Sequence, residues 1–220
     1  MGTNSRRIGE RASPDVILHL ALLGDALQNI DLGPGDIESA LIAVPRNQWR
    51  LTVLHPTQLL RPSCVSAIPD DATHIVISLE GGWAIATSQM LEAPASSVRD
   101  ALGTLAAIAD QFEGMFTGMV AAARETGLPC VICTMVPARF ARPEDQRVTS
   151  AALAIFNDRV LSCAFGAGLP LVDLRLVCNE DADFATETLL SRAGVRKAAN
   201  AIRAALYRVS RPGESTRVYF

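Results

Sequence analysis

The sequence predicts an α/β fold, a three-layer α/β/α sandwich around a five-stranded parallel sheet of strand order 2-1-3-4-5. Three observations predict it. Short apolar runs recur along the chain, each too brief for a buried helix. Longer helical segments separate them. Gly, Pro or Asp bounds each run, as strand ends require. Strand and helix alternating in this way imply right-handed crossovers and a parallel sheet covered on both faces.

The first strand is expected at residues 16–23, a run that stops at Gly24 and Asp25. Its length, His19 within it and the lack of a small-residue cleavage site argue against a signal peptide. A short helix is expected at 35–44 and a weaker strand at 50–54. The third strand covers 73–79. The longest helix spans 94–125, with Ser96 or Ser97 as its cap and Gly127 and Pro129 as its stop. A strand at 129–136 follows. The helix at 143–165 has Pro143 in its first turn and Glu144 and Asp145 at the positive end of its dipole. The fifth strand lies at 169–174 and the last helix at 191–209. The order is that of flavodoxin-like folds, whose working site lies beyond the carboxyl ends of the strands. The domain is placed at 15–209, between a tail at 1–14 and a mobile tail at 210–220 in which Val218, Tyr219 and Phe220 have the composition to dock.

Hydrophobic residues make up 49% and charged residues 20% of the 220, and the net charge is −3. Without a basic cluster a nucleic-acid partner is not expected. No run approaches the ~20 apolar residues of a spanning helix, so neither is a membrane. A cytoplasmic protein without cofactor or metal is expected. Five cysteines at irregular spacing do not make a disulfide framework. Cys130 and Cys133 form C-x-x-C inside an apolar strand, where they would face opposite sides of the sheet as inert thiols.

The first strand runs into Leu23, Gly24, Asp25, Ala26 and, further on, Asn29. This resembles the opening Gly-Asp-Ser block of the SGNH/GDSL hydrolases. The third strand runs into Ser78, Leu79, Glu80, Gly81, Gly82 and Trp83, similar to the strand before that family's Gly-Gly-Asn-Asp. Residues 171–185 are similar to the strand and loop before its last block, and 191–199 to the helix after it. The resemblance implies a Ser nucleophile, an Asp-x-x-His pair, and an oxyanion hole of Ser N–H, Gly N–H and Asn.

Each of these positions is substituted here. Ala26 stands at the nucleophile. Pro56, without an N–H, falls on the oxyanion Gly. Gly82 falls on the oxyanion Asn, with Trp83 after it. Aligning the last block on Gly194 places Leu189 and Leu190 at His-Pro and Thr186 at the supporting Asp. The implied function is a non-catalytic member that binds a small ligand or a protein through a cleft lined by Asp25, Asn29, His55, Glu80, Gly81, Trp83 and Asp173. The acidic segment 179–183 is expected to be a solvated loop, and His19 and His74 to be structural. Two other readings compete: an active hydrolase with Ser78, Ser88 or Thr57 as nucleophile and His55 as base, and an oligomer, including a homodimer through the apolar helix 101–123.

Overall fold

The computed structural model describes residues 17–24, 27, 48–54, 67–79, 94–209 and 218–220. Six parallel strands form one sheet: β1 (Ile17–Leu23), β2 (Gln48–Leu54), β3 (His74–Ile77), β4 (Cys130–Cys133), β5 (Leu171–Val172) and β6 (Val218–Tyr219). The order is β2-β1-β3-β4-β5-β6. The expected five strands and their order stand, and β6 is added at the edge. The segment 210–220 is therefore not wholly a tail. Val218 registers with Leu171 and Tyr219 with Val172, and the Asp173 N–H donates to the Tyr219 carbonyl at 2.8 Å.

Four α-helices are described, α1 (Val98–Glu125), α2 (Pro143–Ala167), α3 (Leu174–Val177) and α4 (Arg192–Val209), with a 3-10 turn at Asp181–Asp183. The Ser97 hydroxyl accepts from Asp100 N–H and caps α1, and Gly168, at φ 69°, closes α2. The helix expected at 35–44 lies outside the described residues.

Period-2 alternation divides the strands between two cores. On one face Ala21, Leu23, Ile75, Ile77 and Ile132 pack against Phe112 and Phe116 of α1 and Leu153, Phe156 and Val160 of α2. On the other, Leu20, Leu22, Val76, Val131 and Val172 pack against Val195, Ala199, Ile202 and Leu206 of α4. Helix α2 is long and apolar enough to cross a membrane by length and composition, which the expectation from the sequence overlooked; in the fold it is a layer of the sandwich, with Leu153, Phe156 and Val160 in the core.

Cys130 and Cys133 belong to opposite cores, as the alternation predicts. Burial pushes both thiols up to about 12. They are apolar filling rather than a redox pair.

Candidate functional site

Because the sheet is parallel, Leu23, Leu54, Ile77, Cys133 and Val172 all end at one edge. The turn after β1 leaves that edge through Gly24, whose φ of 121° lies where only glycine is relaxed. Its N–H donates to the Leu54 carbonyl at 2.9 Å, and the Ser78 N–H donates to the Leu23 carbonyl at 2.9 Å. A Cβ on Gly24 would collide with the Ser78 carbonyl oxygen. The turn is thus fixed between two strand ends, and a side chain here is excluded both by conformation and by space.

Of the residues expected at the site, Asp25, Ala26, Asn29, His55, Pro56, Glu80, Gly81, Gly82 and Trp83 lie outside the described residues, as do Thr57 and Ser88. Asp173, Thr186, Leu189, Leu190, Gly194 and Ser78 are described.

Asp173 follows β5 and is buried. It caps α3, accepting from the Arg175 N–H at 3.1 Å. The Arg175 guanidinium holds the carboxylate through Nε at 2.8 Å and Nη2 at 2.6 Å. The Thr134 hydroxyl donates to it at 3.0 Å and itself accepts from the Leu174 N–H at 2.9 Å. Burial pushes the carboxyl up, but the Arg175 hydrogen bonds and charge, with Thr134, outweigh it and hold the group below its ordinary range. A carboxylate so occupied is a structural hub and a poor general base. Among the described residues no three His, Cys, Asp or Glu converge on a possible metal site.

The last block is an ordered loop. The Leu189 N–H donates to the Thr186 hydroxyl at 3.2 Å, and the Ala185 N–H to the Leu189 carbonyl at 2.8 Å. Phe184 and Leu190 form an antiparallel bridge. Leu189 is half-buried and Leu190 buried. Gly194 lies so close to the Asp183 carbonyl that a Cβ would not fit. Thr186 and Leu189 thus form a local i, i+3 turn, without a titratable group at either end.

The segment 179–183 corrects an expectation. Glu180 and Asp181 are exposed, but Asp183 is buried and ion-paired to Lys197 Nζ at 2.9 Å, which also reaches Glu180 at 2.9 Å. These two carboxylates raise the Lys197 pKa, Asp183 foremost. Sequence reasoning also missed Arg139. Its N–H donates to the Glu187 carbonyl and its Nη2 to the Asn179 carbonyl, both at 2.7 Å, with the guanidinium 5.2 Å from the centre of the Phe184 ring. Arg139 thus ties the loop after β4 to the last block. Nothing local signals this, since its partners lie 40 or more residues away.

Ser78, a candidate relocated nucleophile, is fully buried, and its hydroxyl has no hydrogen-bond partner among the described residues. It cannot meet a substrate without rearrangement. His19 and His74 lie toward the amino ends of the strands, away from the site. His19 Nδ1 is 2.8 Å from Asp71 Oδ1 and Nε2 is 2.8 Å from Thr52 Oγ1. His74 Nδ1 is 2.9 Å from the Thr73 hydroxyl. Both are structural, as expected.

No protein-family model matches the sequence, and no curated protein matches it. Solved structures do. A member of the lipolytic G-D-S-L family from Veillonella parvula aligns over 88% of this chain and all of its own, at 11% identity and TM-score 0.61. The acetyl xylan esterase AlAXEase aligns over 86% and 99%, at 13% and 0.59. An extracellular lipase from Streptomyces rimosus aligns over 86% and 99%, at 12% and 0.57. The resemblance first seen in three short sequence blocks thus extends to the full architecture, and the chain is built on the SGNH/GDSL hydrolase fold.

Proposed function

We propose that the chain is a catalytically degenerate SGNH/GDSL-fold protein, cytoplasmic, that uses the carboxyl edge of its sheet to bind a small ligand or a protein rather than to hydrolyse esters. The observation that carries this reading is the turn at Gly24. Its frame is retained, with positive φ and close packing on the Ser78 carbonyl, while two residues on the sequence offers the methyl group of Ala26, which cannot attack a carbonyl. Support also comes from the last block, where Leu189 and Thr186 spend their polar atoms on each other and leave no imidazole to take a proton.

The reading is tested with purified protein, p-nitrophenyl acetate and butyrate, and a fluorophosphonate probe. Hydrolysis at the buffer rate and no labelled residue are expected. Ala26→Ser alone is expected to stay inactive, since base and orienting carboxylate are also missing and triad members act as a unit. Robust labelling at any Ser of the wild-type chain would overturn the reading.

A further inference from the structure

The sheet order closes on two strands of two residues each, β5 and β6, whereas β1 and β2 pair along seven. The ladder of β6 consists of Val218 beside Leu171 and Tyr219 beside Val172. Its side chains add one anchor. Val218 is 38% and Phe220 82% exposed, while Tyr219 is buried in the core that holds Ile202 and Leu206 of α4. The guanidinium of Arg208, an exposed residue in the last turn of α4, lies 5.3 Å from the centre of the Tyr219 ring. A segment with so short a ladder and so few buried apolar contacts opens at a lower free energy than the core.

Asp173 joins this strand to the carboxyl edge of the sheet. Its polar groups are engaged by different elements. The N–H donates to the Tyr219 carbonyl of β6 at 2.8 Å. The carbonyl accepts from the Leu176 and Val177 N–H groups at 3.0 and 3.2 Å, which form the turn of α3. The carboxylate is held by Arg175 and by Thr134, the residue after β4. The N–H and the carbonyl flank one Cα, so the strand bond and the helix bonds depend on the same two torsions, φ −84° and ψ 91°. Helix α3 has four residues and little cooperativity of its own with which to resist a change there.

We infer that β6 is a detachable strap: it leaves and rejoins the sheet edge while the rest of the fold stays intact, and its docking through the Asp173 N–H orders α3 at the carboxyl edge. In the docked state Tyr219 lies against α4, and Asp173 is held at its N–H, its carbonyl and its carboxylate. In the open state the ring leaves α4, the Asp173 N–H loses its partner and α3 frays, while Arg175 and Thr134 keep the carboxylate in place. Opening leaves the donor of a buried residue unpaired, which favours return. The inference goes beyond the proposed binding role, and its test needs no ligand, so either can fail without the other.

The test is native-state amide exchange of the full chain, read by NMR in increasing urea below the unfolding transition. The amides of Asp173, Leu176, Val177 and Cys178 are expected to exchange about a hundredfold faster than those of Ile75, Val76 and Ile77 in β3, at rates nearly independent of urea, because the opening exposes little surface. Tyr219→Ala should speed these four amides together, about tenfold relative to β3. Arg208→Gln, which keeps the ring but removes the cation, should speed them about threefold. Tyr219→Phe keeps both the ring and the cation contact and should leave the rates unchanged. If Asp173 exchanges with the rate and urea dependence of β3, the strand leaves only in global unfolding and the inference falls. It falls equally if Tyr219→Ala frees Asp173 while the α3 amides keep their wild-type rates, because docking then does not order the helix. Should Tyr219→Ala fail to fold, the urea series on the wild-type chain and on Arg208→Gln decides the matter.

Discussion

Gly24 and Asp173 sit at the same edge of the sheet and do opposite things with their atoms. Gly24 contributes by lacking a side chain, and Gly24→Ala should cost about 3 kcal/mol or more from combined backbone strain and displacement of the Ser78 carbonyl, read as a lowered urea midpoint. Asp173 contributes through both of its carboxylate oxygens. Asp173→Ala leaves Arg175 and Thr134 unpaired and should cost about 3 kcal/mol, whereas Asp173→Asn should recover part of the loss. The importance of both positions was legible in the sequence, because each follows an apolar run at a strand end. Their partners were not. Thr134 lies 39 residues before Asp173, and only the β4–β5 pairing brings them together. Acid sensitivity follows from two groups. Burial lowers the His74 pKa below 6.5, so the unfolded chain takes up that proton first. Stability should be intact above pH about 6.5 and decline as the pH falls below it, and His74→Gln should flatten this limb of a urea-midpoint titration. Asp173 is held below 3.8, so its contribution persists above that pH and is lost only as the pH drops through the lower, folded-state value.

Among the elements, the three long helices were legible nearly to their ends, since caps and stops are local chemistry, whereas the short α3 begins inside the strand expected at 169–174. Ser97 caps α1 by a 3.1 Å hydrogen bond from Asp100, and Ser97→Ala should cost about 1 kcal/mol in thermal unfolding. Four strands proved shorter than their apolar runs, while β2, expected at 50–54, begins earlier at Gln48. The run at 129–136 yields a ladder of only Cys130–Cys133, yet Met135 and Val136 remain buried. Hydrophobicity marks what is buried, not where pairing stops. Strand β6 was invisible to periodicity because two residues have no period. Its evidence is tertiary: Tyr219 is nearly buried in the α4-side core, with the Arg208 guanidinium 5.3 Å from its ring centre. Tyr219→Ala should therefore lower the melting temperature and raise amide exchange at Asp173, whose N–H donates to the Tyr219 carbonyl.

For the molecule as a whole, alternation of short apolar runs with helices was enough for class and strand order, because chirality and burial leave few other arrangements. The local turn of Thr186 and Leu189 is encoded within four residues. The clamp by Arg139 and the ion pair between Asp183 and Lys197 were not legible, since they depend on loops meeting in space. The two faces of β4 give the whole molecule an internal chronometer. Cys130 reports the side of α1 and α2, and Cys133 the side of α4, and neither sulfur is available to an alkylating reagent until its own side opens. Following iodoacetamide uptake at the two positions by peptide mass would time the separation of each layer from the sheet. Matching rates would mean that the sandwich comes apart in one cooperative event, and unequal rates would identify the layer that peels away first.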